Sequence, residues 1–155
     1  MKTAIVGIGN ILQKDDGIGI WVVKQLMEEG IEGVEIIDGG TAVYGLLSTF
    51  MNYERLIIID SLKADHEPGT IYRLPLSELK WREGKSSLHE IHFLDLLKMM
   101  KKMGHEPQVT VIGIEPKEIT YAMELTSVLK RKIPEVVEII KEEISSGAAG
   151  RIENA

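Results

Sequence analysis

The sequence of 155 residues contains no cysteine. This absence excludes disulfide bonds, thiolate metal ligands and a cysteine nucleophile. Long apolar runs are also missing, since none approaches the roughly 20 residues that a membrane-spanning helix needs. The N-terminal stretch MKTAIVGIGN has neither the apolar length nor the cleavage pattern of a signal peptide. We therefore expect a cytoplasmic protein without a membrane partner.

Positive charge is in the minority, because 18 Lys and Arg residues stand against 24 Asp and Glu residues, which gives a formal net charge of −6. Such a balance disfavours nucleic-acid binding by bulk electrostatic attraction, and we expect none. An apolar fraction of 44% and a charged fraction of 27% are typical of a globular domain. We predict one catalytic domain over residues 1–146 and a flexible tail over 147–155, where no hydrophobic periodicity is present.

Hydrophobic patterning predicts an alternation of strands and helices. Strands are expected at 2–8, 34–38, 55–61, 67–74 and 108–116, and helices at 17–30, 43–50, 91–104 and 134–144. The order predicts an α/β fold, a three-layer α/β/α sandwich with a mostly parallel five-stranded sheet that carries one antiparallel strand. The fourth strand follows the third so closely that we expect these two to be antiparallel. We place Pro134 in the first turn of the last helix, and interpret LKRK (129–132) as the end of an earlier one.

Ligands of such sheets bind at the carboxyl ends of the strands. Three predicted strands are followed or ended there by an aspartate, namely Asp16, Asp38 and Asp60, and His89 lies in a loop just before the helix at 91–104. Carboxylates and an imidazole at one edge could bind a divalent transition metal, or could include an acid/base pair for hydrolysis. Taken singly, each aspartate is better explained as the cap of a turn or helix.

The glycine-rich stretch GIGNILQKDDGIG (7–19) follows the first strand, where many folds bind phosphate. The dinucleotide pattern G-x-G-x-x-G fails here, because Leu12 occupies the position of the third glycine. A Gly-Lys-Ser/Thr sequence is absent, and the adjacent Asp15 and Asp16 would repel a phosphate. The stretch is therefore better interpreted as a cation site or a catalytic acid site.

The same stretch resembles the first signature of the hydrogenase maturation endopeptidases. GNILQKDDGIG (9–19) fits the form G-N-x-L-x-x-D-[DE]-G-x-G, and further similarities follow in order along the chain. They are DGGT (38–41), IIIDSLKADHEPGTI (57–71), SLH (87–89) and IGIEP (112–116). The resemblance covers about residues 3 to 145, nearly the whole chain.

The resemblance implies an aspartic-type endopeptidase. Members of the family cut a C-terminal extension from the large-subunit precursor of nickel–iron hydrogenases after nickel has been inserted. Their metal ligands fall on Asp16, Asp60 and His89, and a further acid that matters for processing falls on Asp38. Asp16, Asp38 and Asp60 are thus the candidate catalytic residues. The nickel would be carried by the substrate and held weakly or not at all by the free enzyme, which we expect to be a monomer.

Two alternatives stay open at this point. Another hydrolase on the same fold would act without dependence on nickel. A nickel-binding assembly chaperone is a second alternative, although three ligands and the lack of a histidine-rich or cysteine-rich tract speak against it. The group that attacks the peptide carbonyl, a carboxylate or a metal-polarised water, is also left open by the sequence.

Overall fold

The structure is a computed structural model that describes residues 1–79 and 88–146, with the backbone alone for residues 79 and 88–91. The described residues form five strands: β1 (Thr3–Ile8), β2 (Val34–Gly40), β3 (Arg55–Ser61), β4 (Ile71–Pro75) and β5 (Gln108–Ile114). The α-helices are α1 (Ile18–Glu29), α2 (Leu47–Phe50), α3 (Leu76–Leu79), α4 (Leu88–Lys102) and α5 (Ser127–Ser146). Short 3-10 turns at Lys14–Gly17 and Val43–Leu46 lead into α1 and α2.

The strands form one sheet in the order β2-β1-β3-β5-β4. The first four strands of this order are parallel, and β4 alone is antiparallel, paired with β5. The central β3 is buried along its whole length, as expected of a parallel strand that is covered on both faces. The carboxyl ends of β1 and β3 are neighbours, so the loops that follow them share one edge of the sheet.

Two apolar cores confirm the predicted three layers. One face of the sheet packs against α2 and α4 through a cluster that includes Val6, Ile58, Phe93 and Met100. The opposite face packs against α1 and α5 through a cluster that includes Ile57, Val22 and Ile140. Alternate residues of β1 and β3 supply the two clusters, as the two-residue repeat of a strand requires.

The predicted antiparallel direction of the fourth strand relative to the third is confirmed, but the two strands are not paired with each other. β4 is antiparallel, but its partner is β5, which lies between β3 and β4. The segment between β3 and β4 crosses the carboxyl end of β5, where the Leu62 N–H donates to the Ile114 carbonyl and the Gly69 N–H donates to the Glu115 carbonyl. The apolar β5 takes the buried position, and the half-buried β4, which ends in Pro75, forms the edge.

The predicted boundary of the last helix is wrong. α5 begins at Ser127, so Pro134 lies inside it and the segment 129–132 belongs to its first half. A proline inside a helix costs about 3 kcal/mol. The helix nevertheless continues, because Leu129 before the proline and Val136 and Val137 after it are all buried in the same core.

The predicted tail at 147–155 lies outside the described residues. Within residues 1–79 and 88–146, no helix is long and apolar enough to cross a membrane.

Candidate active site

The loop after β1 is folded tightly around Gly9. This residue has a φ of +143°, and a Cβ atom there would lie 2.2 Å from the Asp16 carbonyl oxygen. Only glycine fits such an approach. The Gly9 N–H donates to the Gly40 carbonyl at 3.0 Å, and the Asn10 N–H donates to Asp16 Oδ2 at 3.0 Å. The glycines of the signature therefore fold the loop so that its backbone holds an aspartate rather than a phosphate.

The two adjacent aspartates have different roles. Asp15 is fully buried, and its carboxylate accepts three backbone N–H groups, from Lys117 and Glu118 at 2.9 and 3.0 Å and from Thr126 at 2.8 Å. The Thr126 hydroxyl also donates to it. Asp15 thus ties the loop after β1 to the segment between β5 and α5. It is a structural residue, and Asp16 is the one that faces the neighbouring strand end.

Asp16 and Asp60 meet at Ser61. The Ser61 hydroxyl donates to Asp16 Oδ1 at 3.3 Å, and the Ser61 N–H donates to Asp60 Oδ1 at 2.8 Å. Each carboxylate is 5% exposed. The adjacent, parallel β1 and β3 bring these groups together, as their positions after two strand ends predict. Two largely buried carboxylates around one serine repel each other, and a cation between them would relieve that repulsion.

His89 lies in the first turn of α4, which begins at Leu88, and not in the loop where the sequence analysis places it. Its side chain lies outside the described residues. Among the described side chains, no three histidine, aspartate or glutamate residues are grouped so as to hold a metal ion. Ligation of a metal by Asp16, Asp60 and His89 together therefore stays a prediction.

Asp38 lies at the end of β2, where its carboxylate is exposed. Its Oδ1 accepts the Gly40 N–H at 3.1 Å, a bond within the last three residues of the strand, where the pairing with β1 shifts register. The side chain borders a cavity of about 320 Å³, a size that falls within the range of ligand pockets. The other residues that line this cavity are Gly9, Asn10, Ile11, Leu12, Ile20, Gly40 and Thr41. Asp38 is therefore at an open recess beside the loop that carries Asp16, and it is not buried with Asp16 and Asp60.

Glu115, also at this edge, has a structural role. It is 3% exposed, and its Oε1 accepts the Ala64 and His66 N–H groups at 2.8 and 3.1 Å and the Tyr72 hydroxyl at 2.6 Å. These bonds fix the loop that follows Asp60. The carboxylate thereby stabilises the edge on which the site is built.

Sequence reasoning missed two residues of the site. Ser61 contacts both buried carboxylates, and Asn10 donates its backbone N–H to Asp16. Ser61 had a signal, because it follows Asp60 directly at the carboxyl end of a predicted strand. Asn10 acts through its backbone, so the identity of its side chain could not reveal the contact.

Comparison with known proteins decides the family. A family model described as hydrogenase maturation protease matches residues 20–143. The chain belongs to the hydrogenase maturation protease family. It is therefore a peptidase, as the resemblance of its first signature predicts.

Relatives of nearly the same length support this assignment. The chain is 32% identical to the hydrogenase 2 maturation protease of Escherichia coli, over 89% of this chain and 87% of that protein. It is 33% identical to the coenzyme F420 hydrogenase subunit delta of Methanothermobacter thermautotrophicus, over 90% of this chain and 92% of the relative.

The solved structures agree in fold. The hydrogenase maturating endopeptidase HybD of E. coli superposes with a TM-score of 0.87 at 29% identity, covering 96% of this chain and 94% of its own. The [NiFe] hydrogenase maturation protease HybD of Thermococcus kodakarensis gives a TM-score of 0.79 at 29% identity, covering 92% and 99%. The predicted fold class is thereby confirmed.

Proposed function

We propose that this protease removes the C-terminal extension from the large-subunit precursor of a nickel–iron hydrogenase, and that nickel in the precursor is the element it recognises. Asp16, Asp60 and His89 would complete the coordination of that nickel. The observation that carries the proposal is the pair of 5% exposed carboxylates that meet at Ser61, on the edge of the sheet where the fold presents its loops.

The chemistry of these ligands suits a metal that is borrowed from the substrate. Carboxylates and imidazole bind divalent transition metals, but thiolates are softer ligands that bind nickel more firmly. Two carboxylates and one imidazole leave coordination positions open for groups of the precursor. The protease would therefore contact the nickel without extracting it, and productive docking would require a loaded precursor.

The cavity beside Asp38 supports the placement of the peptide. It adjoins the loop of Asp16, through Asn10, whose N–H contacts the Asp16 carboxylate and which also lines the cavity. Its walls include the apolar Ile11, Leu12 and Ile20, and among the described residues that line it Asp38 is the only one with a carboxylate. We assign this recess to the peptide next to the scissile bond, with Asp38 as the acid that contacts it.

A cleavage assay with matched variants tests the proposal. The purified protein and its Asp60→Asn variant are incubated with nickel-loaded precursor, and the mass of the large subunit is measured. We expect loss of a short C-terminal peptide with the wild type and no loss with the variant, while the urea midpoint of the variant stays near that of the wild type. Cleavage at a normal rate by the variant would exclude Asp60 from the site.

The two alternatives make different predictions in this assay. A nickel chaperone would leave the precursor uncut and would bind nickel firmly by itself. A hydrolase with another substrate would leave the loaded precursor uncut. It would bind neither the precursor nor free nickel. The similarity to hydrogenase maturation proteases along nearly the whole chain favours the endopeptidase.

A further inference from the structure

The loop between β5 and α5 exposes large apolar side chains to solvent. Tyr121 is 85% exposed, Met123 61% and Ile119 47%, and Leu12 on the loop after β1 is 39% exposed. We call these four residues the apolar platform. Isolated exposed apolar residues are common on protein surfaces, but a contiguous group more often marks an interaction site.

Backbone pairing joins the two loops that carry the platform. Gln13 and Ala122 form a parallel bridge, in which the Ala122 N–H donates to the Leu12 carbonyl at 3.0 Å and the Lys14 N–H to the Ala122 carbonyl at 2.8 Å. The bridge brings the backbone of Leu12 next to that of Ala122, and the exposed Tyr121 and Met123 are the residues on either side of Ala122 in the sequence.

The platform is also held rigidly. The buried Asp15 accepts N–H groups from both ends of the 117–126 segment, and Lys14 forms an ion pair with Glu118 at 2.8 Å. A surface loop that is already fixed with its apolar side chains outward loses little conformational entropy when a partner binds.

The platform is continuous with the candidate active site. Leu12 belongs to the platform and also lines the cavity beside Asp38. Two residues before it, Asn10 holds Asp16 through its backbone N–H. A protein substrate whose peptide enters this cavity would therefore extend over the adjoining surface on the side of Leu12, the loop to which the segment with Tyr121 and Met123 is bonded.

We infer that the apolar platform is a docking surface for the folded body of the large-subunit precursor, next to the C-terminal extension that is cut. This inference rests on the proposed function. The chemistry it demands of the partner is an apolar protein surface, because the platform is apolar at its centre. The charged residues next to it in the sequence carry both signs, namely Lys14, Lys117, Glu118 and Glu124, and Lys14 is paired with Glu118. Such an apolar centre with a mixed polar rim is typical of protein–protein interfaces and offers nothing to a polyanion.

A triple variant tests the inference. Ile119→Ser, Tyr121→Ser and Met123→Ser are combined, while Leu12 is kept because it lines the cavity. The control replaces Met99 and Met103 by serine, since both are exposed apolar residues of α4 and the turn after it, which lead to the amino end of β5, whereas the platform follows its carboxyl end. Cleavage of nickel-loaded precursor, binding of precursor to the immobilised protease, urea unfolding and sedimentation are measured for both.

We expect the triple variant to raise KM for the precursor at least tenfold, with kcat and the urea midpoint unchanged. The control should stay within twofold of the wild type in KM. An unchanged KM in the triple variant would overturn the inference. So would a wild-type protein that self-associates and a triple variant that does not, because the platform would then be a contact between copies.

The binding measurement separates this inference from the proposed function. If the wild type binds the precursor without cutting it and the triple variant loses that binding, the docking surface stands and the endopeptidase proposal fails. If the wild type neither cuts nor binds the precursor, both are wrong.

Discussion

Replacing Asp15 by asparagine should destabilise the fold, whereas the same replacement at Asp16 should remove activity. The Asp15 carboxylate accepts the backbone N–H groups of Lys117, Glu118 and Thr126, and an asparagine side chain offers only one oxygen. If that oxygen keeps the two bonds from Lys117 and Glu118, the amide nitrogen faces the Thr126 N–H, and one buried donor loses its acceptor.

The magnitude follows from these bonds. One buried N–H without an acceptor costs about 1–3 kcal/mol, and the two remaining bonds lose the strengthening that a charged acceptor gives. We expect Asp15→Asn to lower the free energy of unfolding by about 2–4 kcal/mol in total. For a domain of this size, that corresponds to a fall in Tm of about 5–15 °C.

Asp16→Asn is the matched control at the adjacent position. Its amide oxygen can keep the bond from the Asn10 N–H, so the free energy of unfolding should change by less than about 1 kcal/mol. Because asparagine carries no charge to share with a metal, processing of the precursor should be abolished. Urea unfolding followed by circular dichroism and mass analysis of the precursor measure the two effects. Equal destabilisation by both variants, or wild-type stability of Asp15→Asn, would refute the separate roles.

Three further changes test other parts of the account. Glu143 accepts bonds from two arginine side chains in a buried cluster. Burial raises its pKa, but the arginines outweigh that effect and hold the pKa below its usual value. Its stabilising effect is therefore present above the ordinary glutamate pKa of about 4.3 and is lost as the pH falls through the lowered one. Glu143→Gln should lower the free energy of unfolding, measured with urea, by about 3–5 kcal/mol at pH 7. The difference in this free energy between variant and wild type should become smaller as the pH falls, and a larger difference at low pH would contradict the role of the charge. Asp38→Asn should slow cleavage at least tenfold with an unchanged urea midpoint because the side chain is exposed, while Glu35→Gln on the same strand should leave the rate unchanged; equal rates in both variants would remove Asp38 from the site. Gly19→Ala should lower the free energy of unfolding by about 2–3 kcal/mol, since a Cβ there would lie 2.2 Å from the Ile59 carbonyl oxygen. For the control Gly45→Ala, a Cβ would have no atom within 4 Å, so the unfolding midpoint should stay close to that of the wild type.

Much of the fold could be predicted because its signals are local. The apolar run of β3 fixes that strand, and the alternation of strands and helices fixes a mostly parallel sheet. The carboxyl ends of neighbouring parallel strands must share an edge, so the proximity of Asp16 and Asp60 followed from topology alone.

The features that could not be predicted depend on distant contacts. The partner of β4 is chosen by competition between strands for the buried position beside β3, which no single stretch encodes. α5 runs through Pro134 because side chains on both sides of the proline are buried in the same core. Asp15 is structural because of Thr126, which is 111 positions away in the sequence. Each of these outcomes is decided by packing or hydrogen bonds across the molecule.

The central claim is that the protease recognises nickel in its substrate. The most direct measurement mixes the purified protein with unprocessed large subunit, once loaded with nickel and once free of it, and follows the mass of the large subunit over time. If nickel is the element that the protease recognises, a short C-terminal peptide is lost from the loaded form alone. Equal cleavage of both forms would show that the peptidase acts without recognising nickel.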